Sequence, residues 1–266
     1  MNVLKAIGAA AMQRWAYIGG LTIQFWSGVG ALPRILPVFG RRGRWLAAIK
    51  QMYAIGVQAL PMVAIVSACC GFILAIQSAS ELKRYGAMNL VIDILVIAFT
   101  REMGPLLTAV VVSGRSGSAF SAEIGTMVVT EEIDALRTMA IDPVELVLAP
   151  KFLAAMVVVP CLAIMSCAFA FLAGGAFMFL SQNMTLPVFL QYVQDAIVLH
   201  DVYLGMVKSL VFAIIIVQVG CIEGFRVTGG PEGVGRSATS AVVRSTFLVI
   251  FADLFITTMY YLLNRT

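Results

Sequence analysis

Four ionisable side chains lie in apolar stretches of sequence at positions where lipid is expected: Arg101, Glu102, Lys208 and Asp253. A charged group surrounded by hydrocarbon is costly unless it pairs with an opposite charge or reaches water. Such residues can form an ion-pair network that only fixes how helices pack, or they can line a polar path for a substrate. We favour the substrate path for the set as a whole.

The sequence places these charges at different depths. Asp253 lies about ten residues from either end of its apolar stretch, roughly 15 Å deep, and its short side chain cannot reach the surface. Lys208 lies nearer to an end, so it can either extend to the lipid headgroups or pair with Asp253. Arg101 and Glu102 are about 100° apart on a helix. We therefore expect one of them to face a cavity or an interface and the other to face a partner residue.

The composition explains why these charges must lie in a membrane. Of the 266 residues, 61% are hydrophobic and 12% are charged, with a mean hydropathy of +0.95. A spanning helix needs about 20 apolar residues. Five stretches are long enough: residues 51–80, 88–120, 152–180, 203–222 and 242–263. This excludes a nucleotide-binding or catalytic domain folded in water, and we expect no cofactor, metal or nucleic acid to bind this chain.

The first 50 residues contain Lys and Arg but no Asp or Glu, with aromatic residues among them. This pattern is typical of an interfacial helix. The alternative is a true span over the uncharged residues 15–33, although four glycines there disfavour a lipid-facing helix. The predicted fold is an all-α integral membrane domain over residues 1–266. It comprises an N-terminal interfacial segment, residues 1–50, and a five-span core, residues 51–263.

The distribution of basic residues predicts the orientation. Most of the 18 Lys and Arg residues lie in the N-terminal segment and in two loops, residues 115–151 and 223–244. The positive-inside rule then makes these regions cytoplasmic and puts the C-terminus outside. The mildly amphipathic residues 186–202, between the third and fourth spans, predict a short surface helix on the outer side.

Residues 123–143 are amphipathic. Val129, Ile133, Leu136 and Ala140 recur at helical spacing and predict one apolar stripe on a short cytoplasmic helix that Asp142-Pro143 ends. Charged residues occupy its other faces: Glu131, Glu132, Asp134 and Arg137. Helices that lie on membranes usually have a basic polar face. An acidic face suits a protein partner instead.

Two short motifs suggest other chemistry. Residues 230–237, GPEGVGRS, have the outline of a phosphate-binding loop, but Arg replaces the essential lysine and no strand precedes them, so we expect no ATP site. Ser116, in the sequence GRSG, could be the nucleophile of an intramembrane serine hydrolase, which needs a histidine base. The single histidine is His200, in the 186–202 stretch. This hydrolase, and an ion-coupled carrier using Asp253 and Lys208, remain alternatives.

Three stretches resemble the MlaE-type permeases of MCE-associated ABC transporters: TREMGPLLTAVVVSGRSGSAFSAEIG at 100–125, TEEIDALRTMAIDP at 130–143, and GGPEGVGRSATSAVV at 229–243. The resemblance covers residues 50–263. That family is linked to phospholipid traffic between the two membranes of diderm bacteria and to the lipid asymmetry of the outer membrane. The resemblance thus implies a multi-pass protein of the bacterial inner membrane that is not itself an enzyme.

The resemblance also implies partners. Two copies would form the membrane core, and a coupling helix at 127–142 would dock on a separate cytoplasmic ATPase that binds ATP and Mg²⁺. A periplasmic MCE-domain protein would exchange phospholipid with a pocket between the copies, and a small cytoplasmic accessory subunit would be a further partner.

The resemblance assigns roles at matching positions. The pocket candidates are Leu74, Leu82, Tyr85 and Glu102; the accompanying polar set is Arg101, Lys208 and Asp253; and the coupling residues are Glu131, Glu132, Asp134, Leu136 and Arg137.

Overall fold

The computed structural model describes residue 19 and residues 42–88, 90–182 and 184–263. All regular elements in these ranges are helices, which confirms the predicted all-α class. Five helices are long and apolar enough to cross a membrane: Leu46–Tyr85, Leu90–Val129, Leu146–Gln182, Leu199–Phe225 and Gly230–Leu263. They are called the first to fifth spans below. Residues 1–41 of the predicted interfacial segment lie outside the described residues, except for residue 19. The same holds for the alternative span over residues 15–33.

The first span contains an interruption near its start. An α-helix at Arg42–Met52 passes into a π-helical turn at Tyr53–Val57, and a second α-helix runs over Leu60–Leu82. Pro61 lies in the first turn of that second helix, where its missing N–H leaves no helical hydrogen bond unmade. A short 3₁₀ turn at Lys83–Tyr85 ends the span. The helix therefore begins before residue 51, the predicted start of the core.

The second span has π-helical turns at two places. Its α-helical parts are Leu90–Ala98, Gly104–Val112 and Ser118–Val129, and the π turns are Phe99–Met103 and Ser113–Gly117. A π turn inserts an extra residue, which rotates the side chains that follow it, and such turns are frequent at functional sites. The span continues to Val129, beyond the predicted end at residue 120.

The remaining spans also differ from the predicted bounds. The third span begins with a π turn at Val144–Leu148 and continues as the α-helix Ala149–Gln182. A separate helix, Leu186–Ala196, precedes the helix Leu199–Phe225, and Ile197 between them has extended backbone angles. The predicted surface helix at 186–202 was therefore too long, and His200 belongs to the fourth span. The fifth span is one helix, Gly230–Leu263, so its glycine-rich start is helical.

The loop helix between the second and third spans is shorter than predicted. It covers Glu132–Thr138, and Glu131 before it has a left-handed backbone with φ 60°. Val129 ends the second span and Ala140 has φ 55°, so these two residues lie off the helix and the predicted four-residue stripe is wrong. Asp142 does not end this helix; its Oδ1 accepts the Val144 N–H at 2.9 Å and thereby caps the next one.

The long helices also change where the basic residues lie. Lys151 and Arg236 were predicted in loops, and Arg115 and Arg244 lay where a predicted loop overlaps a predicted span, but all four lie within the spanning helices. The helices continue past the apolar stretches because polar residues of different helices pair with each other there. Ser121 Oγ in the second span, for example, lies 2.7 Å from Ser237 Oγ in the fifth. Of the basic residues in the two loops, Arg137 and Arg226 lie between spans. The orientation remains an expectation.

Small residues bring the helices into backbone contact. A Cβ atom added at Gly205 would lie 2.3 Å from the Thr100 carbonyl oxygen, and one at Gly71 would lie 2.5 Å from that of Ala170. The fourth span therefore packs directly on the second, and the first on the third. Ser67 and Ser166 share a buried hydrogen bond of 2.7 Å at the latter crossing. These contacts fix the helices that carry the charged residues.

Candidate functional site

Lys208 lies at the centre of a buried ion-pair network. Its side chain is fully buried, and its Nζ contacts a Glu102 carboxylate oxygen and lies 2.8 Å from Asp253 Oδ1. The same Nζ donates to Thr257 Oγ1 at 2.8 Å. Of the two alternatives for Lys208, the structure has the pairing with Asp253 and not the extension to the headgroups. One ammonium group thus joins the second, fourth and fifth spans.

Local structure explains how these groups meet. Glu102 lies in the π turn Phe99–Met103, beside the crossing where Gly205 lets the fourth span approach. Thr257 follows Asp253 by one helical turn, and its hydroxyl donates to the Asp253 carbonyl oxygen at 2.8 Å. The same hydroxyl lies 3.2 Å from Glu102 Oε1. The fifth span therefore presents a carboxylate and a hydroxyl to the same ammonium group.

Arg101 forms a second ion pair with the fourth span. Its Nε and Nη2 donate to Asp201 Oδ1 at 3.1 and 2.7 Å. The Arg101 guanidinium also lies 5.5 Å from the centre of the Tyr260 ring, and that ring lies 5.2 Å from the His200 ring. Sequence reasoning missed Asp201 because it assigned this residue to a surface helix. The spacing of Asp201 and Lys208, about two helical turns, could have placed both on one face.

Arg101 and Glu102 both have partners, contrary to the expectation that only one would. Because Arg101 binds Asp201 and Glu102 binds Lys208, the two side chains contact the fourth span at successive levels. Neither is fully enclosed: the side chain of Arg101 is 36% exposed and that of Glu102 is 32% exposed. Both ion pairs are therefore buried at their fourth-span members, Asp201 and Lys208, and accessible at Arg101 and Glu102.

These five residues are called the charged cluster: Arg101, Glu102, Asp201, Lys208 and Asp253. The cluster contains two cations and three carboxylates, so its formal charge is negative when all are ionised. Interactions between charges are stronger here than in water because the surroundings have a lower dielectric constant. The cluster can therefore attract a cationic group at its accessible side.

The apolar pocket candidates belong to different parts of the structure. Leu74 packs against the apolar group of Leu95, Phe99 and Ala170, whereas Leu82 packs against a different apolar group between the first, second and third spans and the 186–196 helix. Tyr85 is 80% exposed. A separate apolar cavity of about 210 Å³ lies between the second, third and fourth spans, and sequence reasoning missed it. Its lining includes Thr100, Pro105, Ala163, Cys167, Phe171 and Met206.

Two more ion pairs lie toward the loop-helix end of the spans. Lys151 is buried and its Nζ lies 2.6 Å from Glu123 Oε2, joining the third span to the second. Arg244 Nη1 lies 2.5 Å from Glu223 Oε1, joining the fifth span to the fourth. Sequence reasoning missed both pairs because it assigned Lys151 and Arg244 to loops. These contacts hold the spans together close to the loop helix.

The loop helix presents an acidic surface. Ile133 is buried against the chain and Leu136 is half-buried, so the apolar side faces the protein. Glu131, Glu132, Asp134 and Arg137 are all exposed. Arg137 pairs with Asp134, Nη1 to Oδ1 3.0 Å, and this leaves the two glutamates as surplus negative charge. The predicted coupling residues are therefore accessible to a partner, except for Leu136.

Ser116 lacks the partner that a nucleophile needs. Its hydroxyl is buried, and no residue in the described parts of the chain accepts or donates a hydrogen bond to it. A nucleophilic serine requires a base within hydrogen-bond reach. Neither does the described structure contain a group of three His, Cys, Asp or Glu residues that could hold a metal ion. The geometry gives the serine hydrolase no support.

Comparison with known proteins identifies the family. Residues 48–259 match the family Permease MlaE. A probable ABC transporter permease protein of Synechocystis is 40% identical over 78% of this chain and 79% of its own length. Another, of Rickettsia bellii, is 33% identical over 98% of each chain. Protein TRIGALACTOSYLDIACYLGLYCEROL 1, chloroplastic, of Arabidopsis thaliana is 32% identical over 85% of this chain and 65% of its own. The chain therefore belongs to the MlaE permease family and is a multi-pass permease subunit of an ABC transporter.

Proposed function

We propose that two copies of this chain form the membrane core of a transporter that moves phospholipid between the bacterial inner membrane and a periplasmic MCE-domain protein. The observation that carries the proposal is the charged cluster, which lies within the spans and keeps Arg101 and Glu102 about a third exposed. A network that only fixed helix packing would have no need of an accessible side. A polar headgroup entering the membrane core needs such a side.

The name of one relative supports a lipid as the substrate. One relative is named for trigalactosyldiacylglycerol, a diacylglycerol lipid. A substrate with acyl chains would be held mainly by apolar area, and a few polar groups would orient its headgroup. Leu74, Leu82 and Tyr85 are the proposed apolar contacts. Because Leu74 and Leu82 pack in different apolar groups and Tyr85 is exposed, we propose that the second copy completes the pocket.

A separate ATPase would supply the energy. We infer that it docks on the acidic loop helix, Glu132–Thr138, from the cytoplasmic side, which also puts the C-terminus in the periplasm. The binding of ATP would close the two ATPase subunits and move both loop helices as rigid bodies. The ion pairs Lys151–Glu123 and Arg244–Glu223 would transmit this movement to the spans. A small accessory subunit would bind on the same side.

The test is a mild-detergent pull-down of the tagged chain from its native membrane, with mass spectrometry of proteins and lipids. The proposal predicts recovery of a second copy of the chain, an ABC ATPase, an MCE-domain protein and enriched phospholipid. Recovery of the chain without an ATPase would contradict it. Transport by the chain alone in liposomes, driven by a pH gradient, would instead indicate an ion-coupled carrier that uses Asp253 and Lys208.

A further inference from the structure

We propose that the charged cluster selects phospholipids whose headgroup carries an ammonium group over those whose headgroup has only the anionic phosphate. The inference rests on the proposed function, because it requires a phospholipid to reach Arg101 and Glu102. It goes further by assigning a chemical class of headgroup and a role to each of these residues. Arg101 would contact the phosphate, and Glu102 would contact the ammonium.

The first step is the position of the two side chains. Arg101 and Glu102 are neighbours in the π turn Phe99–Met103, and both approach the fifth span. The Arg101 guanidinium lies over the Tyr260 ring, and Glu102 Oε1 lies 3.2 Å from Thr257 Oγ1. Tyr260 and Thr257 are about one helical turn apart. A positive and a negative group therefore lie side by side between the second and fifth spans.

The second step is what each group has left to offer. Arg101 uses Nε and Nη2 to bind Asp201, and no described residue accepts a hydrogen bond from its Nη1. That nitrogen can donate to a phosphate oxygen. Glu102 shares the single ammonium of Lys208 with Asp253, so the two carboxylates have one cation between them. Of these two carboxylates, Glu102 is the more exposed, 32% against 15% for Asp253.

The third step is the charge balance. With Arg101 paired to Asp201, the surplus negative charge belongs to the group of Lys208, Glu102 and Asp253. An anionic headgroup, such as phosphoglycerol, would add a second negative charge in surroundings of low dielectric constant. A phosphoethanolamine or phosphocholine headgroup brings its own positive charge, which can balance the surplus at Glu102. The cluster therefore favours a headgroup that carries both charges.

The test uses the full chain, purified from vesicles that contain equal amounts of phosphatidylethanolamine, phosphatidylcholine and phosphatidylglycerol with identical acyl chains. The bound lipid is extracted and measured by mass spectrometry. We expect the two ammonium lipids to be enriched over phosphatidylglycerol by roughly two- to fivefold, the range expected for one partly exposed ion pair. Because this measurement needs no substitution, it does not depend on whether a variant folds.

Two matched variants then locate the effect. Glu102→Gln and Asp253→Asn each remove one negative charge, but only Glu102 is accessible enough for direct contact. We expect Glu102→Gln to abolish the enrichment and Asp253→Asn to retain most of it. Arg101→Gln should lower the amount of all three lipids bound, because each has a phosphate. Glu81→Gln, an exposed carboxylate outside the cluster, is the control and should match the unaltered chain.

Each other result has a definite meaning. Bound lipid with the same composition as the vesicles would overturn this inference and leave the proposed function intact. Enrichment that survives Glu102→Gln would also overturn it, as would equal loss in Glu102→Gln and Asp253→Asn, since contact at Glu102 would then not be the cause. Absence of bound phospholipid from the unaltered chain would instead contradict the proposed function itself.

Discussion

Lys208 on the fourth span and Asp253 on the fifth form a buried ion pair, with Lys208 Nζ 2.8 Å from Asp253 Oδ1. Glu102 on the second span contacts the same nitrogen. Any movement of the second or fifth span against the fourth must therefore stretch or replace one of these contacts. The pair thus sets the relative positions of three helices at the depth where a substrate headgroup would meet charged side chains.

Replacing Lys208 with Met should strongly destabilise the protein. The change leaves Glu102 and Asp253 without their cation in the interior, and breaking a buried pair in this way costs ~3–5 kcal/mol. Thermal unfolding in detergent should show a large loss for Lys208→Met and almost none for Lys83→Met, an exposed lysine. The variant that also carries Glu102→Gln and Asp253→Asn should recover much of the loss. Equal stability of Lys208→Met and Lys83→Met would show that the pair contributes little.

Gly205→Ala should loosen the packing of the second and fourth spans. The new Cβ would lie 2.3 Å from the Thr100 carbonyl oxygen, and a backbone atom can move aside only if a helix shifts. Overpacking of this kind costs ~1–3 kcal/mol. Gly235→Ala is the matched control, because a Cβ there has nothing within 4 Å. The expected result is a lower melting temperature for Gly205→Ala alone; identical melting curves would refute the close contact.

Charge reversal on the loop helix should weaken ATPase binding. Asp134→Lys or Glu131→Lys would place a positive charge on a surface that is acidic in the structure. An acidic surface suits a basic partner, and the new positive charge would repel that partner. We expect roughly a tenfold loss in affinity, equivalent to ~1.4 kcal/mol, in a quantitative pull-down. Glu81→Lys is the control. Glu81 is exposed near the C-terminal end of the first span, away from the loop helix, so this variant should bind the ATPase normally. An unaltered complex for both loop-helix variants would argue against docking there.

Ser116→Ala should keep full transport and folding. The Ser116 hydroxyl is buried without a hydrogen bond in the described structure, and such a group costs ~1–3 kcal/mol, so its removal should leave stability unchanged or higher. Ser121→Ala is the contrast, because that hydroxyl bonds to Ser237 Oγ at 2.7 Å and its loss should destabilise. Loss of activity in a correctly folded Ser116→Ala protein would restore the hydrolase as a candidate.

The sequence predicted the five spans because hydropathy depends only on local composition. Their ends were predicted less well, since Ser121, Ser237 and the basic residues near them look like loop residues until their partners on other helices are known. The loop helix shows the same limit. Its apolar spacing continued through Glu131 and Ala140, but the left-handed backbone at both residues breaks the helix.

The site was predicted in part. Arg101, Glu102, Lys208 and Asp253 stood out because charges are rare in apolar stretches. The structure joins Glu102, Lys208 and Asp253 directly, whereas Arg101 lies beside Glu102 and pairs with Asp201. The pairing itself could not be predicted, because it depends on which helices are adjacent and on the π turn at Phe99–Met103. Asp201 was missed because the break at Ile197, which starts a new helix, has no clear signal in the sequence.

Reconstitution tests the central claim most directly. The purified chain, its ATPase and the MCE-domain protein are assembled in vesicles that contain a fluorescent phospholipid, and transfer of the lipid between the vesicles and the MCE-domain protein is followed. We predict that transfer requires ATP, the ATPase and this chain together, and falls when Glu102 is replaced with Lys. Transfer that proceeds equally without ATP, or that a pH gradient drives without the ATPase, would contradict the claim that this chain is an ATP-driven phospholipid permease.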